Sequence, residues 1–178
     1  MQRVVVKDRE FILSVSSREI ERTVQRIAGR INRDYEDKDP LFLCILNGAF
    51  VFASDLIRKI RIPCRVSFVK FASYAGTATT SEVKELIGLN EDLKGRHVIV
   101  VEDIVDTGIT MDRLLSHLQG LEPASIRLAV FCFKPQAFRK SFAIDYLGME
   151  IPNDFVVGYG LDYDGYGRNL PEIYKVAK

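Results

Sequence analysis

Apolar and polar positions along this chain follow two different periods. In SSREIERTVQRIAGRI, Ile20, Val24, Ile27 and Ile31 recur at four, three and four residues, the spacing of one helix face. Ser16 with Glu19 matches a capping box, so an amphipathic helix is predicted to begin there. LFLCIL, from Leu41 to Leu46, is instead a short unbroken apolar run, the pattern of a strand buried on both faces. Asn47 and Gly48 turn it into AFVFASDLIRKI, which reads as a helix. CRVSFVKF (Cys64 to Phe71) reads as a second core strand, HVIVVE (His97 to Glu102) as a third and SIRLAVFCF (Ser125 to Phe133) as a fourth, with the helix TMDRLLSHLQGL after the third. Repeated strand, helix, strand units predict an α/β fold: a mainly parallel sheet flanked by helices, with ligands at the carboxyl ends of the strands.

Two stretches fall outside this layering. ASYAGTATTSEVKE, Ala72 to Glu85, is long, small and polar, which suits a mobile active-site loop and nearly as well a plain surface excursion. The last thirty or so residues hold one short strand, FVVGY, among glycines, tyrosines and acids, and are expected to form a small cap beside the sheet.

Composition narrows the partners. With 25 Lys and Arg against 24 Asp and Glu, the formal charge is +1, so no general field favours nucleic acid or a membrane surface, and any bound anion must be held locally. Cys44, Cys64 and Cys132 are odd in number and set among apolar neighbours, which suits reduced thiols better than disulfides or a zinc site. The opening MQRVVVKDRE lacks a signal-peptide core, and no apolar run approaches the roughly 20 residues of a membrane helix, so cytoplasmic residence is expected.

The candidate chemistry lies in VIVVEDIVDTGIT, Val98 to Thr110, where an apolar strand runs into Glu102, Asp103 and Asp106 and then Thr107, Gly108 and Thr110. A strand ending at Glu102 and a helix starting near Thr110 would expose free backbone N–H groups at the positive end of the helix, and Gly108 would let an anion come close. Such a turn suits a phosphate monoester. Glu102 and Asp103 would repel a bare phosphate, so they point to diol hydroxyls or a magnesium ion, and both halves together describe a ribose 5-phosphate. Asp106, between the halves, could move a proton. The plainer alternative is that Asp106 or Thr107 only caps the helix, but a cap needs one side chain and this turn supplies six polar or special positions.

VEDIVDTGIT resembles the phosphoribosyl pyrophosphate motif of the type I phosphoribosyltransferases. ILNGAFVFASDL, SYAGTATTSEV, FCFKP and IPNDFVVGYGLDYDGYGRNLPEIYKV narrow the resemblance to the hypoxanthine-guanine phosphoribosyltransferases, in the expected order over nearly the whole chain. The resemblance implies the type I fold in a single domain, residues 1–178, with a core at about 20–150 and a hood over the base site formed by about 1–15 and 151–178. It implies purine salvage: transfer of a phosphoribosyl group from phosphoribosyl pyrophosphate to N9 of hypoxanthine or guanine, with Mg2+ as cofactor.

By the same resemblance, Glu102 and Asp103 would bind the ribose hydroxyls and help to hold magnesium, and Thr107, Gly108, Ile109 and Thr110 would hold the 5-phosphate. Asp106 would face purine N7 as general base or acid. Lys134 would donate to the 6-oxo group and so reject adenine, Phe155 would stack on the base, and the Val156 backbone would read its edge. Asp162 would hold a second magnesium, and Arg168 would pair with pyrophosphate through its guanidinium fork. Leu46, Asn47 and Gly48 match a segment where the family binds pyrophosphate through a non-proline cis peptide, and Ser73 and Tyr74 match the closing loop. Without the resemblance, Lys134 reads as a strand-end charge, Phe155 as a core aromatic and Arg168 as a partner for a nearby acid. Closure of the loop would exclude water from an oxocarbenium-like ribose.

Departures from the family are local. Asn47 and Ile109 stand where some members carry Lys, and QAFRK aligns poorly with the family's basic stretch, where Arg139 is the candidate substitute for a pyrophosphate contact. The family suggests a homodimer or homotetramer. The rival readings are a regulator that binds nucleotides to control nucleic-acid binding, which would need a basic face, and a magnesium-dependent phosphatase or receiver, which would leave Lys134 and FVVGYGLDY unexplained. Within the family, a xanthine-preferring or broad 6-oxopurine enzyme is the alternative.

Overall fold

The structure is a computed structural model that describes residues 2–72, 84–89 and 91–177; of the side chains at 71, 72 and 84–87 nothing is said. Ser73, Tyr74 and the stretch 73–83 lie outside the described residues. The chain opens with β1 (Arg3–Val6) and β2 (Arg9–Val15), followed by α1 (Ser17–Asp34), β3 (Leu41–Ile45), α2 (Phe50–Ile57), β4 (Arg65–Ala72) and β5 (Lys84–Ile87). Then come β6 (His97–Val105), α3 (Ile109–Gln119), β7 (Ser125–Phe133), β8 (Tyr146–Glu150), β9 (Val156–Val157) and β10 (Ile173–Val176).

Six strands form the central sheet, in the order β5-β4-β3-β6-β7-β8. β4, β3, β6, β7 and β8 are parallel, and β5 closes one edge antiparallel to β4. Leu41 to Cys44 and Val98 to Val101 are each 0% exposed, so these strands are covered on both faces, as their unbroken apolar runs predict. The alternation sorts them: Phe42, Cys44, Ile99, Val101 and Phe131 pack toward α1 and α2. Leu41, Leu43, Val98, Val100 and Leu128 pack toward Met111, Leu114 and Leu118 of α3. A second sheet, ordered β1-β2-β10-β9, joins the two ends of the chain in antiparallel pairing.

Ser16 caps α1 as expected: its side chain accepts from the Glu19 N–H, and the Glu19 carboxylate accepts from the Ser16 N–H at 2.9 Å. Ile20, Val24, Ile27 and Ile31 are buried. Several boundaries differ from the sequence expectation. β6 does not stop at Glu102 but runs to Val105, because β7 continues beside it and pairs Glu102 with Val130, Ile104 with Cys132 and Val105 with Phe133. Helix α3 begins at Ile109, one residue early, and α2 ends at Ile57 in a tight turn where Ile60 N–H reaches the Ile57 carbonyl. Lys84 and Glu85, assigned to the polar loop, belong to β5 because they pair with Ala72 and Phe71. The tail carries β10 as well as the short β9, and the β1–β2 pair and β8 were not read as strands. Among the described residues no helix is long and apolar enough to cross a membrane.

Candidate active site

The carboxyl ends of β3, β6 and β7 meet on one edge of the sheet, and their loops carry the residues singled out from the sequence. After β6, Asp106 and Thr107 lead to Gly108, which stands at the helix N-cap with φ +78° and no side-chain cap bond. Neither Asp106 nor Thr107 caps α3 in the usual way; Thr107 Oγ1 accepts only a long 3.4 Å bond from the Ile109 N–H. The N-terminal N–H groups of α3 therefore face a loop able to receive an anion, and Ile109 and Thr110 are exposed at its rim.

Gly108 could not be another residue without cost. A Cβ there would run into the ring of Phe138, with Phe142 behind it, in addition to the positive φ. Phe133, Phe138 and Phe142 form a chain of edge-to-face rings with centroids 5.1 Å apart, and Arg139 N–H donates to the Thr107 carbonyl at 3.1 Å. The segment after β7 thus buttresses the phosphate-type loop. Sequence reasoning missed this; the only hint was an aromatic pair, Phe138 and Phe142, in a stretch without regular structure.

Lys134, at the end of β7, is 7% exposed and is the one buried charged side chain among the described residues. Its ammonium donates to Asp106 Oδ2 at 2.9 Å, so the strand-end reading of Lys134 is too weak: its burial requires a partner, and Asp106 is that partner. Glu102 and Asp103 sit side by side at the end of β6, both partly buried. Burial, and after it the Asp103 carboxylate, pushes Glu102 well above the ordinary carboxylate range. Among the described residues no cluster of three or more His, Cys, Asp and Glu is placed to hold a metal ion by itself. Two adjacent carboxylates are nevertheless the hard donor pair that magnesium takes when water and phosphate oxygens complete its shell, so the residues fit that ion.

Leu46–Asn47 is a cis peptide bond, and the Leu46 N–H is anchored on the Val69 carbonyl of β4 at 2.8 Å. Gly48 lies directly on Asp103: a Cβ at 48 would overlap its carboxylate. On the other side, a Cβ at Gly160 would overlap the Gly48 carbonyl. Gly160 belongs to the segment between β9 and β10, so the second sheet reaches the core site through two glycines in contact. In that segment Arg168 donates from Nη1 to the Gly160 carbonyl and from Nη2 to Asp162 Oδ1, each at 2.7 Å, while Asp162 Oδ2 accepts from the Gly165 N–H at 2.7 Å. Arg168 does find a nearby acid, which is itself a candidate metal ligand.

Phe155 is not a core aromatic. It is 43% exposed, tilted against Phe11 and edge-on to Tyr163 at 5.8 Å between centroids, so an apolar ring face stays available. Val156 is buried and pairs with Lys175 of β10. Cys44 and Cys132 are buried, Cys64 is partly so, and all three are free thiols.

Residues 15–164 match the phosphoribosyl transferase domain family. A hypoxanthine-guanine phosphoribosyltransferase of Aquifex aeolicus is 35% identical over 173 residues, covering 96% of this chain and 97% of the relative. A hypoxanthine-guanine-xanthine phosphoribosyltransferase of Tritrichomonas foetus is 37% identical over 157 residues, covering 87% and 85%. The crystal structure of a hypoxanthine-guanine phosphoribosyltransferase from Bacillus anthracis superposes with a TM-score of 0.87 at 35% identity, covering 94% of this chain and 97% of that one. Together with the parallel sheet, the glycine-capped loop after β6 and the second sheet leaning on it, these likenesses establish that the chain belongs to the phosphoribosyltransferase family, in its hypoxanthine-guanine branch.

Proposed function

We propose that this protein transfers the 5-phosphoribosyl group of phosphoribosyl pyrophosphate to N9 of hypoxanthine or guanine, yielding IMP or GMP and pyrophosphate. The observation that carries this reading is the 2.9 Å pair of buried Lys134 with Asp106, at the mouth of a helix N-terminus suited to phosphate. A 6-oxopurine offers the two groups such a pair can address, an oxygen that accepts from Lys134 and a ring nitrogen, N7, whose proton Asp106 can take or return. Adenine presents a donor where Lys134 needs an acceptor, so an ammonium N–H beyond the one given to Asp106 would face a donor, which is costly.

The remaining residues divide the ligand by chemistry. Thr107, Gly108, Ile109 and Thr110 receive the 5-phosphate on backbone N–H groups and hydroxyls. Glu102 and Asp103 accept from the ribose diol. The Leu46 to Gly48 turn and Arg168 hold the pyrophosphate, for which Arg168 exchanges Asp162 as its anionic partner. Phe155 stacks on the base and the Val156 backbone reads its edge; Ser73 and Tyr74 belong to the loop assigned to closure. Glu102, Asp103 and Asp162 are hard oxygen donors for Mg2+, which when bound supplies positive charge to the departing pyrophosphate. Asn47 and Ile109 are uncharged, so phosphate recognition here leans on backbone donors. A T. foetus relative named for xanthine as well makes xanthine a substrate to be assayed.

We further assign the protein to the cytoplasm, in keeping with its three free thiols, and to a homodimer or homotetramer. Supporting self-association, Val66 and Phe68 of β4 and Phe50 of α2 are 38%, 43% and 43% exposed.

The test is nucleotide formation from phosphoribosyl pyrophosphate and magnesium with each of the four purines, on wild type and on Asp106→Asn. Turnover with hypoxanthine and guanine, little with adenine, and a rate about 10²-fold lower in the variant are expected. Binding of phosphoribosyl pyrophosphate with no turnover of any base would sink the enzyme reading in favour of a regulator.

A further inference from the structure

At the amino ends of the central strands, opposite the site above, lies a cavity of about 390 Å³. It is lined by three cations, Arg30, Lys38 and Arg127, against two carboxylates, Asp34 and Asp145. That excess distinguishes it from two other cavities. The one beside Asp55 and Tyr159 has as many acids as bases, and the one beside Met149 has more acids than bases.

Both acids are already engaged. Asp145 accepts from Arg127 Nη1 at 2.6 Å and from the Leu128 N–H at 2.8 Å, and Asp34 accepts from the Tyr146 hydroxyl at 2.8 Å. Arg30 and Lys38, by contrast, donate among the described residues only to main-chain oxygens, the carbonyls of Asp145 and Asp34, each at 2.9 Å. The Arg30 guanidinium lies 5.2 Å from the Tyr146 ring centroid, and the Lys38 ammonium 5.0 Å from that of Tyr35. A ring face steers a cation but brings no full negative charge. Each cation therefore keeps most of its donors unspent beside a cavity. Ser125 and His97, joined at 2.8 Å between Oγ and Nδ1, add a hydroxyl and an imidazole to the same lining.

We infer that this cavity binds a phosphate ester, its phosphate held by Arg30 and Lys38, separately from the catalytic site. A forked guanidinium and a compact ammonium with no carboxylate of their own are the combination that a phosphate dianion satisfies. The cavity lies within the size range of small-molecule sites and is larger than phosphate alone requires, which leaves room for the esterified group.

The chain has two histidines, so the ring signals of His97 form a specific reporter. The full-length protein is titrated with ribose 5-phosphate, with inorganic phosphate, and with chloride at matched ionic strength, while the His97 ring resonances are followed by NMR. A saturable shift with ribose 5-phosphate, tighter than with inorganic phosphate, and none with chloride are expected. Lys38→Ala, at an exposed position, and Arg30→Gln should each weaken binding about tenfold and leave nucleotide synthesis unchanged. Absence of a saturable shift, an equal response to chloride, or undiminished affinity in both variants would overturn the site. Equal affinity for phosphate and ester would overturn the assignment to an ester.

Discussion

Glu102 illustrates how a single residue can set stability against function. Its pKa in the fold lies well above the ordinary 4.5 because the partly buried carboxyl is desolvated and faces Asp103. A raised carboxyl pKa means that the fold favours the protonated form. The stabilising contribution is full below about pH 4.5 and is lost as pH rises through the folded value, so the Glu102 carboxyl costs stability as pH rises above its ordinary range. Glu102→Gln should therefore raise Tm at pH 7.5, by about 2–4 °C per kcal/mol relieved, and narrow the gap at low pH. It should also raise KM for phosphoribosyl pyrophosphate by about tenfold. Melting curves at several pH values, with initial rates, would check both; an unchanged Tm would refute the strain. The thiols give a second residue-scale expectation. Burial pushes Cys44 up to about 12 and Cys132 higher still, so a thiol-specific reagent at pH 8 should label Cys64 in the native protein and the other two only in denaturant.

Elements whose formation depends on neighbours in sequence behaved as their patterns foretold. The capping box of α1 is present with both of its bonds, since Ser16 and Glu19 are three residues apart and need nothing else. Ser16→Ala should cost about 1 kcal/mol, lowering Tm by about 2–4 °C with kcat unchanged, as thermal melts and initial rates would test. β3 and β6 declared themselves as double-buried runs. Other elements did not. β10 exists because it pairs with β2 and β9, and β6 passes through its acids because β7 extends alongside. Two acids carry no local signal that a strand runs on through them.

At the scale of the whole molecule, the two sheets touch at the site through Gly160, Gly48 and Asp103. Gly160→Ala would combine a φ of +96° with a Cβ driven into the Gly48 carbonyl, moving either the turn or the segment that holds Asp162 and Arg168. A fall of about 10²-fold in kcat/KM is expected, on the scale of a 1 Å misplacement, with a modest loss of Tm. An unaffected kcat/KM would mean that the second sheet does not position the site.

The amino-acid pattern alone was sufficient for the layered α/β core, the capped first helix and the acidic, glycine-containing loop after β6, because each depends on spacing within a few residues. The motifs that resemble the family also named Lys134 and Asp106 individually. Their pairing across 28 residues, the rings of Phe138 and Phe142 behind Gly108, and the cations gathered from α1, the segment after it and β7 around one cavity came only from tertiary structure. Burial and charge compensation act between side chains that the sheet brings side by side, and strand register, which decides those neighbours, is a property of the assembled sheet.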